Sequence, residues 1–154
     1  MEESYILSVR GKQITSGDED CIELETAAAY VTRNGSRYIS YKEYDPEAPD
    51  AHYRTTVKVD SNNIVTVMKG GSANHHLILE KGKRHKCEYN TPFGSLTLGV
   101  YTNSVMIDLD DNGGQLKVSY TIDIESETAS MNELTLIIKE ANNNVKSSEN
   151  DQQS

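Results

Sequence analysis

The sequence predicts a single all-β domain in which one antiparallel meander closes into a barrel. Apolar residues alternate with polar ones, as Leu116, Val118 and Tyr120 do, which is typical of a strand with one face turned away from water. The connections between such runs are too short for a parallel crossover, so neighbouring runs are expected to pair antiparallel. A long meander with one apolar face buries that face and removes its free edges by closing on itself. A two-layer sandwich is the alternative architecture.

Turn-forming segments separate the first six predicted strands. Asn34-Gly35 divides the second strand from the third, and Ser61-Asn62-Asn63 divides the fourth from the fifth. The segment 45–50 holds two of the three prolines among acidic residues, which predicts an exposed loop between the third and fourth strands. Residues 23–31, in the second strand, also have helix propensity. The six strands are predicted at 4–12, 21–32, 36–44, 52–60, 63–69 and 76–80.

The second half of the chain carries the clearest alternation. Leu96, Leu98 and Val100 are spaced two residues apart, and the same spacing recurs from Val105 to Leu109 and from Leu134 to Ile138. Glycine-containing turns are predicted at Thr91-Pro92-Phe93-Gly94 and at Asn112-Gly113-Gly114, because glycine adopts the positive φ that tight hairpins require. The five remaining strands are predicted at 84–90, 94–102, 104–109, 115–125 and 132–139.

The composition predicts one barrel domain over residues 1–140 and a disordered tail over 141–154. The tail is rich in Asn, Ser, Gln and Glu, so it has too little apolar surface to order itself. The full chain has 36% hydrophobic residues, one Phe, no Trp and nine Tyr. We therefore expect a lean core of Leu, Ile and Val with Tyr rings at its margins.

Charge and cysteine content limit the cellular compartment and the classes of binding partner that the sequence predicts. The formal net charge of −9 disfavours binding to nucleic acid and to anionic membrane surfaces. The N-terminus lacks the basic and apolar regions of a secretory signal, which predicts a cytoplasmic protein. Cys21 and Cys87 are expected to be free thiols in a reducing compartment, with a bridge between them as the alternative.

No motif in the sequence predicts catalysis, a metal or a cofactor. The segment 108–113 begins like a calcium loop, but Ser119 stands where the bidentate Glu is required, so a hairpin is favoured. His85 and Cys87 share one face of a predicted strand, and two ligands do not make a zinc site. A nucleophile elbow and a phosphate loop are both missing. We do not expect an enzyme.

Five short segments of the chain carry a resemblance to a known family, namely Ser40-Tyr41-Lys42-Glu43, Lys69-Gly70, Tyr89-Asn90-Thr91-Pro92-Phe93-Gly94, Gly113-Gly114 and Val118-Ser119-Tyr120. Together they resemble the YwiB-like family of small bacterial proteins of unknown function. The resemblance covers roughly residues 4–140 and is most specific in the turn 89–94. It implies a lipocalin-like (calycin) β-barrel and supplies no catalytic residues. Lys69 stands where the family tends to have Arg, and Ala28 where it tends to have Gly.

Two functional hypotheses follow from a small barrel with a lean core. The first is that the barrel holds a small, largely apolar ligand. In this case Tyr41, Glu43, Lys69, His85 and Tyr89 are the candidate polar groups that orient the ligand. Glu43 shares a face with Tyr41, so its carboxylate either points into the barrel or lies at a wet rim, and the rim is favoured. The second hypothesis is a filled barrel that meets a protein partner through an edge strand or an acidic loop.

Overall fold

Ten antiparallel strands form one sheet in the computed structural model, which describes residues 3–45, 48–70, 75–91, 94–125 and 127–141. Nearly every described residue lies in a strand, because the alternating pattern continues along most of the chain. The strands are β1 Tyr5–Thr15, β2 Asp18–Arg33, β3 Ser36–Asp45, β4 Ala48–Val59, β5 Val65–Lys69, β6 His75–Leu79, β7 Arg84–Thr91, β8 Gly94–Asp110, β9 Gly113–Ile124 and β10 Glu127–Glu140.

The sheet is a meander that curls into a nearly closed barrel, as the sequence predicts. Each strand pairs with its neighbour in the chain from β1 to β6 and from β7 to β10, and β1 also pairs with β10. The outer strands β6 and β7 lie against each other without a ladder of their own among the described residues, and we call this line the seam. The connection between them is held to β8, because the N–H of Gly82 donates to the Thr102 carbonyl at 2.8 Å.

Several strand boundaries differ from the predicted ones, and β10, for example, begins at Glu127 instead of at residue 132. The predicted strands 94–102 and 104–109 are one strand, β8, with a bulge between Thr102 and Ser104. The β1–β2 hairpin is longer than predicted and turns at Ser16-Gly17, with φ values of 46° and 89°. Strand β4 already begins at Ala48, inside the predicted 45–50 loop. The predicted disordered tail lies outside the described residues except for Ala141.

One end of the barrel, the closed end, is capped by the β8–β9 hairpin. The hydroxyl of Tyr30 donates to the Asp110 carbonyl at 2.6 Å, and the Arg37 guanidinium lies 3.0 Å from the Asp111 carboxylate. The Asp110 carboxylate in turn accepts from the N–H of Asn112 at 2.8 Å. The calcium-like segment is therefore a hairpin turn, in agreement with the favoured interpretation of the sequence.

The middle of the barrel is filled by aliphatic side chains. Tyr30 and Tyr41 lie at its margins with small exposed fractions, as the composition predicts. Cys21 and Cys87 are free thiols. The largest fully buried apolar side chains are Leu7, Ile39, Leu79, Leu116, Leu136, Ile138, Val57, Val65, Val100 and Val118.

Replacing Thr102 by Val is expected to stabilise the barrel. The side chain is fully buried, and its hydroxyl has no hydrogen-bond partner among the described residues. Removing a buried, unsatisfied hydroxyl while keeping the side-chain shape should raise the free energy of unfolding by about 1 kcal/mol. Urea denaturation of Thr102→Val measures the difference.

The matched control is Thr55→Val, at a position that is equally buried. The Thr55 hydroxyl donates to the Glu43 carboxylate at 3.0 Å, so its loss should lower the free energy of unfolding by about 1–3 kcal/mol. Equal destabilisation by the two substitutions would show that the Thr102 hydroxyl is hydrogen-bonded in solution and would contradict the prediction.

Candidate ligand site at the open end of the barrel

Five polar side chains converge inside the end of the barrel opposite the closed end, which we call the open end. Tyr41 lies opposite Thr55 in the β3–β4 ladder, Glu43 lies opposite Tyr53, and Thr55 lies opposite Lys69 in the β4–β5 ladder. Residues directly opposite each other in antiparallel strands share a face, as do residues two apart along a strand. These five residues form one group, the polar cluster.

The Glu43 carboxylate lies at the centre of the polar cluster. Its Oε2 accepts from the Thr55 hydroxyl at 3.0 Å and lies 3.6 Å from the Lys69 ammonium nitrogen. The Lys69 nitrogen is 5.9 Å from the centroid of the Tyr53 ring. The Glu43 side chain is 19% exposed, so it is shielded and paired rather than placed at the wet rim that the sequence favoured. The contacts with Thr55 and Lys69 offset the cost of removing the carboxylate from water at this position.

Tyr41 forms the floor of the polar cluster. It is 4% exposed, and burial raises the pKa of its hydroxyl strongly. The Glu43 carboxylate raises that pKa further, both by its charge and by a hydrogen bond with the hydroxyl. The Tyr41 hydroxyl therefore stays protonated at neutral pH and serves as a donor.

An apolar cleft of about 180 Å³ adjoins the polar cluster at the seam. Lys69 belongs to both, because its aliphatic stem lines the cleft while its ammonium reaches Glu43. The cleft thus joins an apolar wall to a half-exposed cation. The lining residues are Val67, Lys69, His76, Leu77, Cys87, Leu98 and Ile122.

The Cys87 thiol is a half-buried group in the wall of this cleft. Burial raises its pKa, while a hydrogen bond with the backbone of His76 acts in the opposite direction. A thiol with a raised pKa is a weak nucleophile at neutral pH, so Cys87 is expected to contribute to the cleft as a small apolar group.

One of the five candidate residues, His85, does not join the polar cluster. His85 lies nearer the β6–β7 connection, where its Nε2 is 2.9 Å from a carboxylate oxygen of Glu80. Lys83 lies 3.2 Å from the other oxygen, and the hydrogen bonds with His85 and Lys83 lower the pKa of Glu80. His85 therefore helps to hold that connection. The side chain of Tyr89 lies outside the described residues.

Tyr53 and Thr55 were not among the candidate residues predicted from the sequence. Both lie at two-residue spacing before Val57, so the alternation in this strand already places them on its inner face. Their convergence with Glu43 depends on the β3–β4 register, which the sequence pattern leaves open. The apolar residues of the cleft were interpreted as ordinary core residues.

A larger groove lies on the outer face of β1, β2 and β10. It does not bring polar side chains together as the open end of the barrel does. Its volume is about 390 Å³, and its walls include Ser8, Glu25 and Ile137. Arg10 and Glu23 form an ion pair of 3.2 Å across it with 67% and 71% of their side chains exposed, so this pair is solvated and weak.

The described residues include no group of three or more His, Cys, Asp or Glu side chains placed to hold a metal ion. Within the same residues, no helix is long and apolar enough to cross a bilayer.

Comparison with known proteins places the chain in a family. The chain is 26% identical over 135 residues to the uncharacterized beta-barrel protein YwiB of Bacillus subtilis (strain 168), covering 88% of this chain and 92% of that protein. The crystal structure of the ywiB protein from Bacillus subtilis matches with a TM-score of 0.77 at 24% identity, over 88% of this chain and 90% of that chain. The model of the domain of unknown function DUF1934 matches residues 7–136, and the chain therefore belongs to the DUF1934 family of YwiB-like β-barrel proteins.

Proposed function

We propose that this barrel binds a small, largely apolar ligand in the cleft at the open end, in the manner expected of a lipocalin-like carrier. The observation that carries the proposal is the junction of the apolar cleft with Lys69 and the polar cluster. Binding sites for small molecules are commonly apolar concavities with a few polar groups that set the orientation of the ligand. The proposal assigns the apolar body of the ligand to the cleft and its polar end to the ammonium of Lys69.

The volume of the cleft sets the size of the ligand. At about 180 Å³ the cleft is smaller than the roughly 300–1,000 Å³ of most small-molecule pockets. The middle of the barrel cannot extend it, because Leu79, Val100 and Ile39 are fully or almost fully buried there. The proposed ligand is therefore a short chain or a single small ring held at the mouth of the barrel.

The charges beside the cleft favour an acceptor at the polar end of the ligand. An ammonium has three donors, and among the described residues the Lys69 ammonium forms one ion pair, with Glu43. The Thr55 hydroxyl holds the Glu43 carboxylate. A ligand carboxylate or carbonyl at the cleft would reach the remaining donors of Lys69. Short linear carboxylates are the first class to test.

The two cysteines provide an internal test of occupancy. Cys87 lines the cleft, whereas Cys21 is exposed on β2. Alkylation by iodoacetamide, followed by peptide mass spectrometry, would be measured against carboxylates from butyrate to decanoate and the matching primary alcohols. At a ligand concentration of about ten times Kd, only about a tenth of the sites are free, so Cys87 should react about tenfold more slowly. The rate at Cys21 should be unchanged.

Matched variants distinguish protection of Cys87 by a ligand in the cleft from protection by nonspecific binding. Leu98→Trp should fill the cleft and abolish protection, whereas Met106→Trp, at an exposed position on the same strand, should preserve it. Lys69→Met should remove the preference for carboxylates over alcohols. If no compound of the panel protects Cys87, or if Leu98→Trp is protected as well as the parent, the cleft is not the binding site and the proposal fails.

A further inference from the structure

We infer that the free edge of β2, residues 18–27, accepts a basic β-strand from a partner protein. Strand β2 pairs with β1 from Asp18 to Ala28, but it pairs with β3 only from Ala28 to Arg33. Among the described residues, the second edge of segment 18–27 therefore carries no strand. This inference is independent of the proposed ligand site, because none of these residues lines the cleft or belongs to the polar cluster.

The segment is already extended and held in register. Its pairing with β1 is continuous to Thr15, and the tight turn at Ser16-Gly17 closes the hairpin. A strand fixed on one side leaves a row of backbone N–H and C=O groups on the other, and that row can pair with an added strand. The ordering cost on this side of the contact is therefore small.

From Ile22 to Glu25 the side chains of this segment divide into an apolar face and an acidic face, and toward the turn Asp18 and Asp20 continue the face of Ile22. Ile22 is 69% exposed and Leu24 is 38% exposed, and they lie on the same face as Val9 of β1. Glu23 and Glu25 lie on the opposite face. Residues 18–27 contain five acidic residues and no basic one, namely Asp18, Glu19, Asp20, Glu23 and Glu25.

This charge pattern selects the chemistry of the partner. Arg10 and Lys12 on β1 pair with Glu23 at 3.2 Å and with Glu19 at 3.5 Å, which leaves an acidic excess along the edge. A second copy of the chain would bring acids opposite acids, and like charges on facing positions are destabilising. A strand with Lys or Arg on one face and apolar residues on the other would match both faces. The net charge of −9 would also attract such a segment at a distance.

The experiment uses the full-length protein and a capped peptide of sequence Lys-Val-Lys-Ile-Lys-Val-Lys. A peptide with Glu in place of Lys tests the sign of the charge, and a peptide of the same composition with the apolar residues grouped tests the alternation. Binding would be followed by fluorescence anisotropy, and hydrogen exchange would locate the contact. The alternating basic peptide should bind and slow the exchange of amides in residues 18–27.

Charge reversal on the acidic face provides the control by mutation. The double variant Glu23→Lys with Glu25→Lys should weaken binding of the basic peptide by about tenfold or more. Glu88→Lys with Asp108→Lys makes the same change in net charge at exposed positions on β7 and β8 and should bind like the parent. The absence of binding, equal binding of the grouped peptide, or protection outside β2 would each overturn the inference.

Discussion

Gly114→Ala is expected to lower the free energy of unfolding by about 3 kcal/mol or more. Gly114 has a φ of 135°, a conformation that residues with a side chain rarely adopt. A Cβ at this position would overlap the carbonyl oxygen of Asp108 and meet the Cα of Leu109 at 3.0 Å. Both atoms belong to the backbone of β8, which pairs with Gly114, so neither can move without opening the ladder. The destabilisation from backbone strain and the destabilisation from steric overlap therefore add.

The comparison that isolates this effect is Gly11→Ala. An added Cβ at Gly11 meets no atom within 4 Å, so the substitution should change stability by at most about 0.5 kcal/mol. Gly113→Ala should resemble Gly114→Ala, because its Cβ would overlap the carbonyl oxygen of Ile138 and its φ is 126°. Denaturant titration of the three variants gives the ranking. A Gly114→Ala protein as stable as Gly11→Ala would show that the closed end differs from this structure.

The β8–β9 hairpin gives a structural reason for the two glycines in one of the resembling segments. Gly113-Gly114 was noted in the sequence as a turn and as part of a family resemblance. The structure shows that the two glycines allow β9 to approach β8 and β10 more closely than a side chain permits. Periodicity could not reveal this, because close approach depends on which strand lies opposite.

The sequence predicted the strands well wherever one face is dry along the whole run. It failed at the bulge in β8, where the inner positions shift from Thr102 to Val105, three residues on. A bulge reverses the alternation, and a single reversed step resembles a turn between two strands. It also failed in the outer part of the β1–β2 hairpin, since that part extends beyond the barrel and has no dry face to impose alternation.

The candidate site could be predicted only in part. Alternation alone places Tyr41 and Glu43 on one face, and Lys69 at the end of its strand lies beside them as anticipated. Thr55 contacts Glu43 because of the register between β3 and β4, which are joined by a proline-containing segment. Composition does not determine this register. His85 lies apart from the polar cluster, because it contacts Glu80 in a connection whose path the sequence leaves open.

The second large effect is expected at alkaline pH and originates at Tyr41. Burial, with a contribution from Glu43, raises the pKa of Tyr41 in the folded protein. In the unfolded chain a tyrosine titrates near its ordinary value of about 10. Below that pH both states hold the proton and the stability is unaffected. Above it the unfolded chain releases the proton while the folded protein retains it, so the free energy of unfolding falls as pH rises.

The size of this loss can be measured against two single substitutions. Each tyrosine of this kind contributes a slope of up to about 1.4 kcal/mol per pH unit above pH 10. Burial also raises the pKa of Tyr120 and of Tyr30. The free energy of unfolding of the parent should therefore fall with pH more steeply than the slope that a single tyrosine contributes. Tyr41→Phe should remove one such contribution, and Tyr120→Phe should remove another. Urea titrations at intervals from pH 8 to pH 11.5 give the slopes.

Glu43→Gln distinguishes the two causes of the shift at Tyr41. The amide removes the negative charge beside the hydroxyl but leaves Tyr41 buried, and burial is the larger of the two causes. The alkaline loss of stability should therefore extend over a narrower pH range in Glu43→Gln without disappearing. If Tyr41→Phe and Glu43→Gln both kept the parental profile, the hydroxyl would titrate freely in the folded protein, and the enclosed polar cluster would be excluded. A change in the first variant alone would assign the shift to burial.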